Sequence, residues 1–313
     1  MINWFYYLLK LLRPRQWIKN LALFAGIIFA GGLFDFSILS NVIVGFIIFC
    51  LLSSSTYIIN DIVDLKKDQL HPFKKLRPIA SGKITPMQAS IVCVILMGSA
   101  FVLAAQYGIV FFSIAVLYIV LQMLYSTTVK SIAIFDILFI ALGYIIRVFA
   151  GEVISDLHIS VWLLLTTVCL SLFLAVAKRR SELTLLKNVT GSHISEVRKS
   201  LSHYSEPLLD AYAAIFATAT LVFYTLFTFL EDPSGIKISL DLLLPEFLPY
   251  YLQRKWLMIT IIPVIYGLMK YLQNIHEKSE GESPDKVLLS DKPLLASVVI
   301  WIILVIFIIY FIQ

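Results

Sequence analysis

Apolar runs long enough to cross a lipid bilayer recur along almost the whole chain, and they restrict its possible folds more than any other feature. A helix spanning the hydrocarbon core needs about 20 predominantly apolar residues. Nine candidates meet that length, at 17–34, 40–59, 86–106, 109–126, 132–150, 160–177, 209–230, 256–274 and 293–312. In lipid every backbone N–H and C=O must find a partner within the protein, so such segments fold as helices. The expected class is all-α, a polytopic membrane protein with about nine transmembrane helices. Only 14% of the residues are charged, against about 25% in an average soluble domain. Cys50, Cys93 and Cys169 lie inside apolar stretches without C-x-x-C spacing, as buried hydrophobes do, and suggest neither a disulfide framework nor a metal site.

Orientation follows the Lys and Arg of the short loops. With the N-terminus and every second loop on one side, that side holds Lys10, Arg13, Arg15 and Lys19, the six basic residues of the 61–85 loop, Lys130, six between 178 and 199, and Lys278, Lys286 and Lys292. The opposite loops hold only Lys237, Arg254 and Lys255. The N-terminus is therefore predicted to be cytoplasmic and the C-terminus outside, and the loops 60–85 and 178–208 open together on the cytoplasmic face. Met1–Leu12 has neither a basic leader nor a small-residue cleavage site, and an interfacial helix is expected over 1–14. Trp4, Tyr6, Tyr7 and Lys10 suit the headgroup region, and "RPRQW" turns the chain into the first span. Arg13, Arg15 and Lys19 read either as topology and headgroup anchors or as part of a site. The segment 231–255 is expected to add a short amphipathic helix on the outer surface. No repeat, low-complexity tract or linker divides the chain, so a single domain over 1–313 is expected. No nucleic-acid partner is expected, membrane lipids surround the protein, and homo-oligomer formation is left open.

One stretch breaks the apolar pattern: "IINDIVDLKKDQLHPFKKLRPIASGKI", residues 58–84, at the cytoplasmic end of the second span. If the helix continues through it, Asp61, Asp64 and Asp68 fall within roughly 60° of arc. Three carboxylates on one face at the edge of a low-dielectric bundle repel one another and call for a cation. Oxygen ligands without His or Cys suit Mg2+, which keeps several waters and usually shares its shell with phosphate oxygens, and Asn60 adds an amide contact. The alternative is a solvated loop in which Lys66, Lys67, Lys74, Lys75 and Arg77 neutralise the aspartates.

Two other even-numbered spans bring polar groups to the same mouth. The fourth ends at Tyr125 in "YSTTVK" with Lys130, and the sixth ends in "AVAKRRSELTLLK" with Lys178, Arg179, Arg180 and Glu182. Glu182 lies four residues beyond Lys178 and three beyond Arg179, which also fits an ordinary helix-surface ion pair. Inside the fifth span, Asp136 and Arg147 come to within about 20° of one face, with Gly143 on the same stripe. Ionisable groups inside a bilayer are costly and turn toward a bundle interior or a water-filled cavity. Pairing within the bundle and lining a chamber both remain open for them.

These residues carry a resemblance. "NDIVDLKKD" resembles the N-D-x-x-D-x-x-x-D motif of the UbiA superfamily of intramembrane prenyltransferases, and "RPIASG" the R-P-[IL]-A-x-G that follows it there. "YSTTVKSIAIFDILFIALGYIIRVFAG" resembles the Y-[ST]-x-x-[LV]-K, D and R-x-x-A-G region of the same superfamily. Typical members carry a second aspartate-rich motif after the sixth span, and this chain has "KRRSEL" there. Exchanging carboxylates for Lys and Arg removes a second metal site and adds phosphate donors.

One subgroup fits that departure. "RPRQWIKN", the 60–82 stretch, "AKRRSEL", "VRKSLSHYS" and "GESPDKVLLSD" resemble the decaprenyl-phosphate phosphoribosyltransferases and their bacterial relatives. The resemblance implies a bacterial plasma-membrane enzyme that moves 5-phosphoribosyl from phosphoribosyl diphosphate (PRPP) to a polyprenyl phosphate lipid, for cell-envelope glycan precursors. It implies Mg2+ on Asp61 and Asp64, supported by Asp68 and Asn60. Catalytic roles then fall to Asp61, Asp64, Tyr125 and Lys130. Substrate binding falls to Lys19, Asn20, Asn60, Lys75, Arg77, Tyr125, Lys130, Arg147, Lys178, Arg179 and Glu182. Prenyl transfer to an aromatic or other small acceptor and membrane transport stand as the alternative functions.

Overall fold

The computed structural model describes residues 2–70, 74–190, 199–231, 256–278 and 284–312, and among them there are helices and turns and no strand. The predicted surface helix within 231–255 and the loop tips 71–73 and 191–198 lie outside the described residues.

Helix α1, Ile2–Leu12, precedes a 3-10 helix, Pro14–Leu23, and a short α2, Phe24–Phe29. Then follow α3 (Phe36–Val63), α4 (Leu65–Leu70), α5 (Pro86–Ala105), α6 (Gly108–Thr127), α7 (Phe135–Ser155), α8 (Val161–Thr190), α9 (Glu206–Leu230), α10 (Ile261–Lys278), α11 (Pro284–Ser290) and α12 (Lys292–Phe307). Their starts are chemically marked. The Asp35 carboxylate accepts from the N–H groups of Ser37 and Ile38 at 2.9 and 3.2 Å. Thr85 and Gln88 form a reciprocal capping box before α5, and Ser205 and Asp291 cap α9 and α12, so donors that helix ends leave open are satisfied.

Eight helices among the described residues are long and apolar enough to cross a membrane. The predicted first span, 17–34, differs in form, because its first part is the 3-10 helix rather than an α-helix. At about 2.0 Å rise per 3-10 residue and 1.5 Å per α residue Pro14–Phe29 extends about 29 Å, but its 3-10 part carries Arg15, Gln16, Lys19 and Asn20, and the segment is not among the eight apolar spans. Tertiary contacts stabilise this thinner conformation. Trp17 Nε1 donates to Ser54 Oγ at 3.0 Å, and Ser54 Oγ donates to the Leu12 carbonyl at 2.8 Å. At the far end, the Tyr310 hydroxyl accepts from Leu33 N–H at 2.9 Å and lies 3.0 Å from the Ile27 and Ile28 carbonyls.

The first span also lies directly on α7, where a Cβ on Gly151 would sit 2.0 Å from the Leu23 carbonyl oxygen. A backbone atom cannot swing aside as a side chain can. Gly151→Ala is therefore expected to cost about 3 kcal/mol or more of stability. Gly98→Ala is the control, since nothing lies within 4 Å of its Cβ position. Thermal unfolding of the purified proteins should show a large drop for the first and none for the second.

One apolar core joins the first span to α3, α5, α6 and α7 through Leu23, Ile27, Phe49, Phe111 and Ala150. A second joins α7 to α11 through Phe173, Leu201, Leu209 and Tyr271. Cys50, Cys93 and Cys169 are free and buried, as their apolar surroundings in the sequence suggest. Helix α1 buries Leu11 against Ile58, Ile79 and Ile84 and leaves Trp4, Phe5 and Tyr6 exposed. The bundle thus leaves a polar space where α3, α6 and α8 approach their C-terminal ends and α7 begins.

Candidate active site

Helix α3 ends at Val63, and Asp64 takes the C-cap with its N–H bonded to the Asn60 carbonyl at 2.9 Å. This break changes the expected single face of aspartates. Asp61 and Asp68 both turn to Arg77, whose Nη1 lies 3.0 Å from Asp61 Oδ1 and 2.5 Å from Asp68 Oδ2. Arg13 Nη2 reaches the same Asp61 Oδ1 at 2.6 Å while its guanidinium lies over the Tyr57 ring. Asp64 has a different partner, Lys130, whose Nζ lies 3.3 Å from its Oδ2.

Among the described residues no three Asp, Glu, His or Cys side chains gather closely enough to enclose a metal ion. A divalent cation is nevertheless compatible with what is present. Asp61 Oδ2 is buried without a hydrogen-bond partner among the described residues, and Asn60 and Asp64, one and three positions away in the sequence, line the chamber. An all-oxygen, incomplete set of this kind suits Mg2+, whose remaining positions are filled by water and phosphate.

The chamber has a volume of about 300 Å³. Arg13, Lys19, Lys74, Lys130, Arg147 and Lys178 line it, and Asp64 is the one carboxylate among its described lining residues. Several are held by neighbours: Lys19 Nζ donates to Gln16 Oε1 at 2.5 Å, and Tyr57 donates to the same oxygen at 3.0 Å. Buried Arg147 donates from Nε to Asn20 Oδ1 at 2.6 Å, from Nη2 to the Tyr118 hydroxyl at 2.9 Å, and to the Gly143 carbonyl. Asn20 stands behind the wall, its amide also within 3.3 Å of Cys50 Sγ and Ser53 Oγ.

Asp136 and Arg147 therefore serve different partners and do not pair with each other. Asp136 Oδ2 lies 2.7 Å from Arg179 Nε, and both side chains are fully buried. Arg179 also contacts Glu182 and donates from Nη2 to the Tyr125 hydroxyl at 2.6 Å. Of the predicted site residues, Lys19, Asn60, Asp64, Tyr125, Lys130, Arg147 and Lys178 line the chamber. Asp61, Asp68 and Arg77 form the adjoining ion-pair network, Arg179 and Glu182 lie behind Tyr125, and Lys75 is exposed on the short turn Lys74–Leu76. Tyr57, Lys74, Gln122 and Tyr144 line the chamber without having been singled out as site residues, and Arg13, left open between headgroup anchor and site by the sequence, lines it too. For Arg13 the available signal is its place in "RPRQW", immediately before a proline.

A second cavity, of about 330 Å³ and mostly apolar, runs between α8, α10 and α12 past Phe173, Leu268 and Trp301. Lys19 and Tyr144 line both cavities, so the apolar groove meets the cationic chamber there.

Comparison with known proteins agrees with this architecture. The chain is 33% identical to a decaprenyl-phosphate phosphoribosyltransferase of Mycolicibacterium smegmatis, over 94% of this chain and 90% of that protein. It is 30% identical to one of Corynebacterium glutamicum, over 97% and 86%. A solved UbiA homolog from Archaeoglobus fulgidus, bound to GPP and Mg2+, superposes with a TM-score of 0.69 at 17% identity, covering 96% of this chain and 99% of that one. The UbiA prenyltransferase family profile matches residues 21–291. This chain, a multi-pass membrane enzyme, belongs to the UbiA prenyltransferase family.

Proposed function

We propose that the enzyme transfers 5-phosphoribosyl from PRPP to a polyprenyl phosphate, releasing diphosphate. The observation that carries the reading is the charge of the chamber: six cationic side chains line it against one carboxylate. PRPP brings a diphosphate and a 5-phosphate, and the acceptor adds a third phosphate group. That load exceeds the single diphosphate of a prenyl donor. The relatives named as phosphoribosyltransferases support the same choice.

In this mechanism Asp61, Asp64 and Asn60 would hold Mg2+, and Asp68 supports the set by fixing Arg77. When bound, the ion supplies charge neutralisation of the departing diphosphate. Lys130 and Lys178 bind phosphate oxygens as point charges. Arg179 donates to the Tyr125 oxygen, so Tyr125 acts toward the chamber as a hydrogen-bond donor. The acceptor's phosphate enters past Lys19 and Tyr144 while its tail lies in the apolar groove. One of its anionic oxygens attacks ribose C1, forming the C1–O bond as the bond to diphosphate breaks, with inversion at C1. An acceptor already ionised near neutral pH needs no general base, and positioning and electrostatics supply the rate. In this reading the mouth faces the cytoplasm of a bacterial cell and the C-terminus lies outside, an orientation that the distribution of basic residues supports, and the product is a precursor of cell-envelope glycans.

Purified protein with Mg2+, labelled PRPP and polyprenyl phosphates of several chain lengths is expected to carry label into the lipid phase. No lipid-linked label with any of them overturns the reading. In the same assay Lys178→Ala should raise KM for PRPP about tenfold, the loss expected for one charge-assisted phosphate contact. An unchanged KM would show that Lys178 does not reach the donor.

A further inference from the structure

Two of the groups facing the chamber, Tyr125 and Lys130, sit at the end of α6 and on the short 3-10 turn Val129–Ser131 that leads into α7. Locally the link is held by the Ser131 and Ile132 N–H groups, which donate to the Thr128 and Val129 carbonyls at 3.2 and 3.0 Å. Ser131, Ile132 and Ile134 are exposed, and Ile134 has φ 69°, a left-handed conformation that a β-branched residue rarely adopts. Something outside the link must stabilise it.

The contacts come from the 3-10 helix Lys199–His203 and from Tyr204, at the end of the second long loop. Leu201 anchors that segment in the core beside Phe173 and Leu209. Ser200, fully buried, donates from Oγ to the Lys130 carbonyl at 3.0 Å. The Tyr204 hydroxyl accepts from the strained Ile134 N–H at 2.5 Å and donates to Asp136 Oδ1 at 2.8 Å. Burial, with the Asp136 carboxylate adding to it, pushes the Tyr204 phenol above its ordinary range, so it remains a donor. The other Asp136 oxygen faces Arg179, and Arg179 donates to Tyr125. A continuous polar chain thus runs from Tyr204 through Asp136 and Arg179 to Tyr125, and a shorter one from Ser200 to the backbone of Lys130. Neither Ser200 nor Tyr204 lines the chamber.

We propose that Tyr204 and Ser200 are positioning residues that brace the α6–α7 link, so that Tyr125 and Lys130 are held toward the donor. The brace makes the second long loop part of donor recognition without touching substrate. Its kinetic consequence rests on the phosphoribosyl-transfer reading, and its structural consequence does not.

Tyr204→Phe keeps the ring and removes both hydrogen bonds. In the full-length purified protein it is expected to raise KM for PRPP about tenfold, the equivalent of one buried hydrogen bond to a charged group. KM for the lipid acceptor should stay unchanged. In a Tyr125→Phe background the same substitution should add little, since both act through one chain. An unchanged PRPP KM, an equal rise for both substrates, or full additivity with Tyr125→Phe overturns the proposal. Ser200→Ala, a smaller change, is expected to shift KM for PRPP in the same direction by about threefold. Hydrogen–deuterium exchange supplies a measure independent of turnover. Amides 129–137 should exchange about tenfold faster in Tyr204→Phe, while those of α9 are unaffected. Unaltered exchange at 129–137 overturns the brace. If the wild-type protein transfers no label, the phosphoribosyl reading fails, and the exchange result still decides the brace.

Discussion

Asp61→Asn is expected to lower transfer about a thousandfold or more, because in the proposed mechanism Asp61 would hold an ion that supplies several kcal/mol of charge stabilisation to the departing diphosphate. The substitution nearly preserves shape, so the loss is of charge. It also leaves Arg13 and Arg77 facing an uncharged amide where both now meet Asp61 Oδ1. A second measurement separates the two effects. Mn2+ binding followed by electron paramagnetic resonance should weaken in Asp61→Asn and in Asp64→Ala. Asp64→Ala leaves both arginine contacts to Asp61 in place but frees Lys130 from its carboxylate, so a comparable loss of activity there points to the metal only when Mn2+ binding weakens with it. Wild-type turnover and Mn2+ affinity in both variants would remove the metal role from this motif.

The largest effect on stability is expected at Asp136. It and Arg179 are both fully buried, and Asp136→Ala leaves the guanidinium without its one fully buried counter-charge, with only the part-exposed Glu182 remaining against it. Breaking a buried ion pair from one side costs about 3–5 kcal/mol. Removing both charges is different: Asp136→Leu combined with Arg179→Met should recover most of that stability, since buried pairs can be exchanged for apolar packing at little net cost. Activity should not return with it, because Tyr125 has then lost the donor that orients it. Thermal unfolding and the lipid-transfer assay on the same preparations test both halves. A wild-type melting temperature for Asp136→Ala would show that the pair is not structural.

Helix positions were largely legible in the sequence because the bilayer demands length and apolarity, and both can be counted. The first span shows the limit of that reasoning. A 3-10 and an α-helix need equally apolar side chains, and the choice between them is made by Ser54, Gly151 and Tyr310, residues from distant parts of the chain. In the site, Asp61 and Asp64 were legible from spacing and residue type, and Arg147 from the cost of a charge in a membrane helix. The helix break at Asp64 was not, since nothing in "DIVDLKKD" marks it. Arg179 shows why local patterns mislead. Its contact with Glu182, three residues on, could be read from helix geometry, whereas its burial against Asp136 depends on how α7 packs on α8. Arg13 is similar. Its left-handed backbone, φ 53°, turns the side chain inward onto Asp61, away from the headgroup position that its place before the first span also allowed.

The contact of Tyr310 with the Ile27 and Ile28 carbonyls has a consequence for biogenesis. The ribosome delivers the first span 282 residues or more before the side chain that completes it. Until α12 and the π-helical turn Ile308–Ile312 that follows it have entered the bilayer, the early segment lacks the hydroxyl that faces its carbonyls and must be sheltered by its other neighbours. This contact therefore ties a late-made part of the bundle back to an early one.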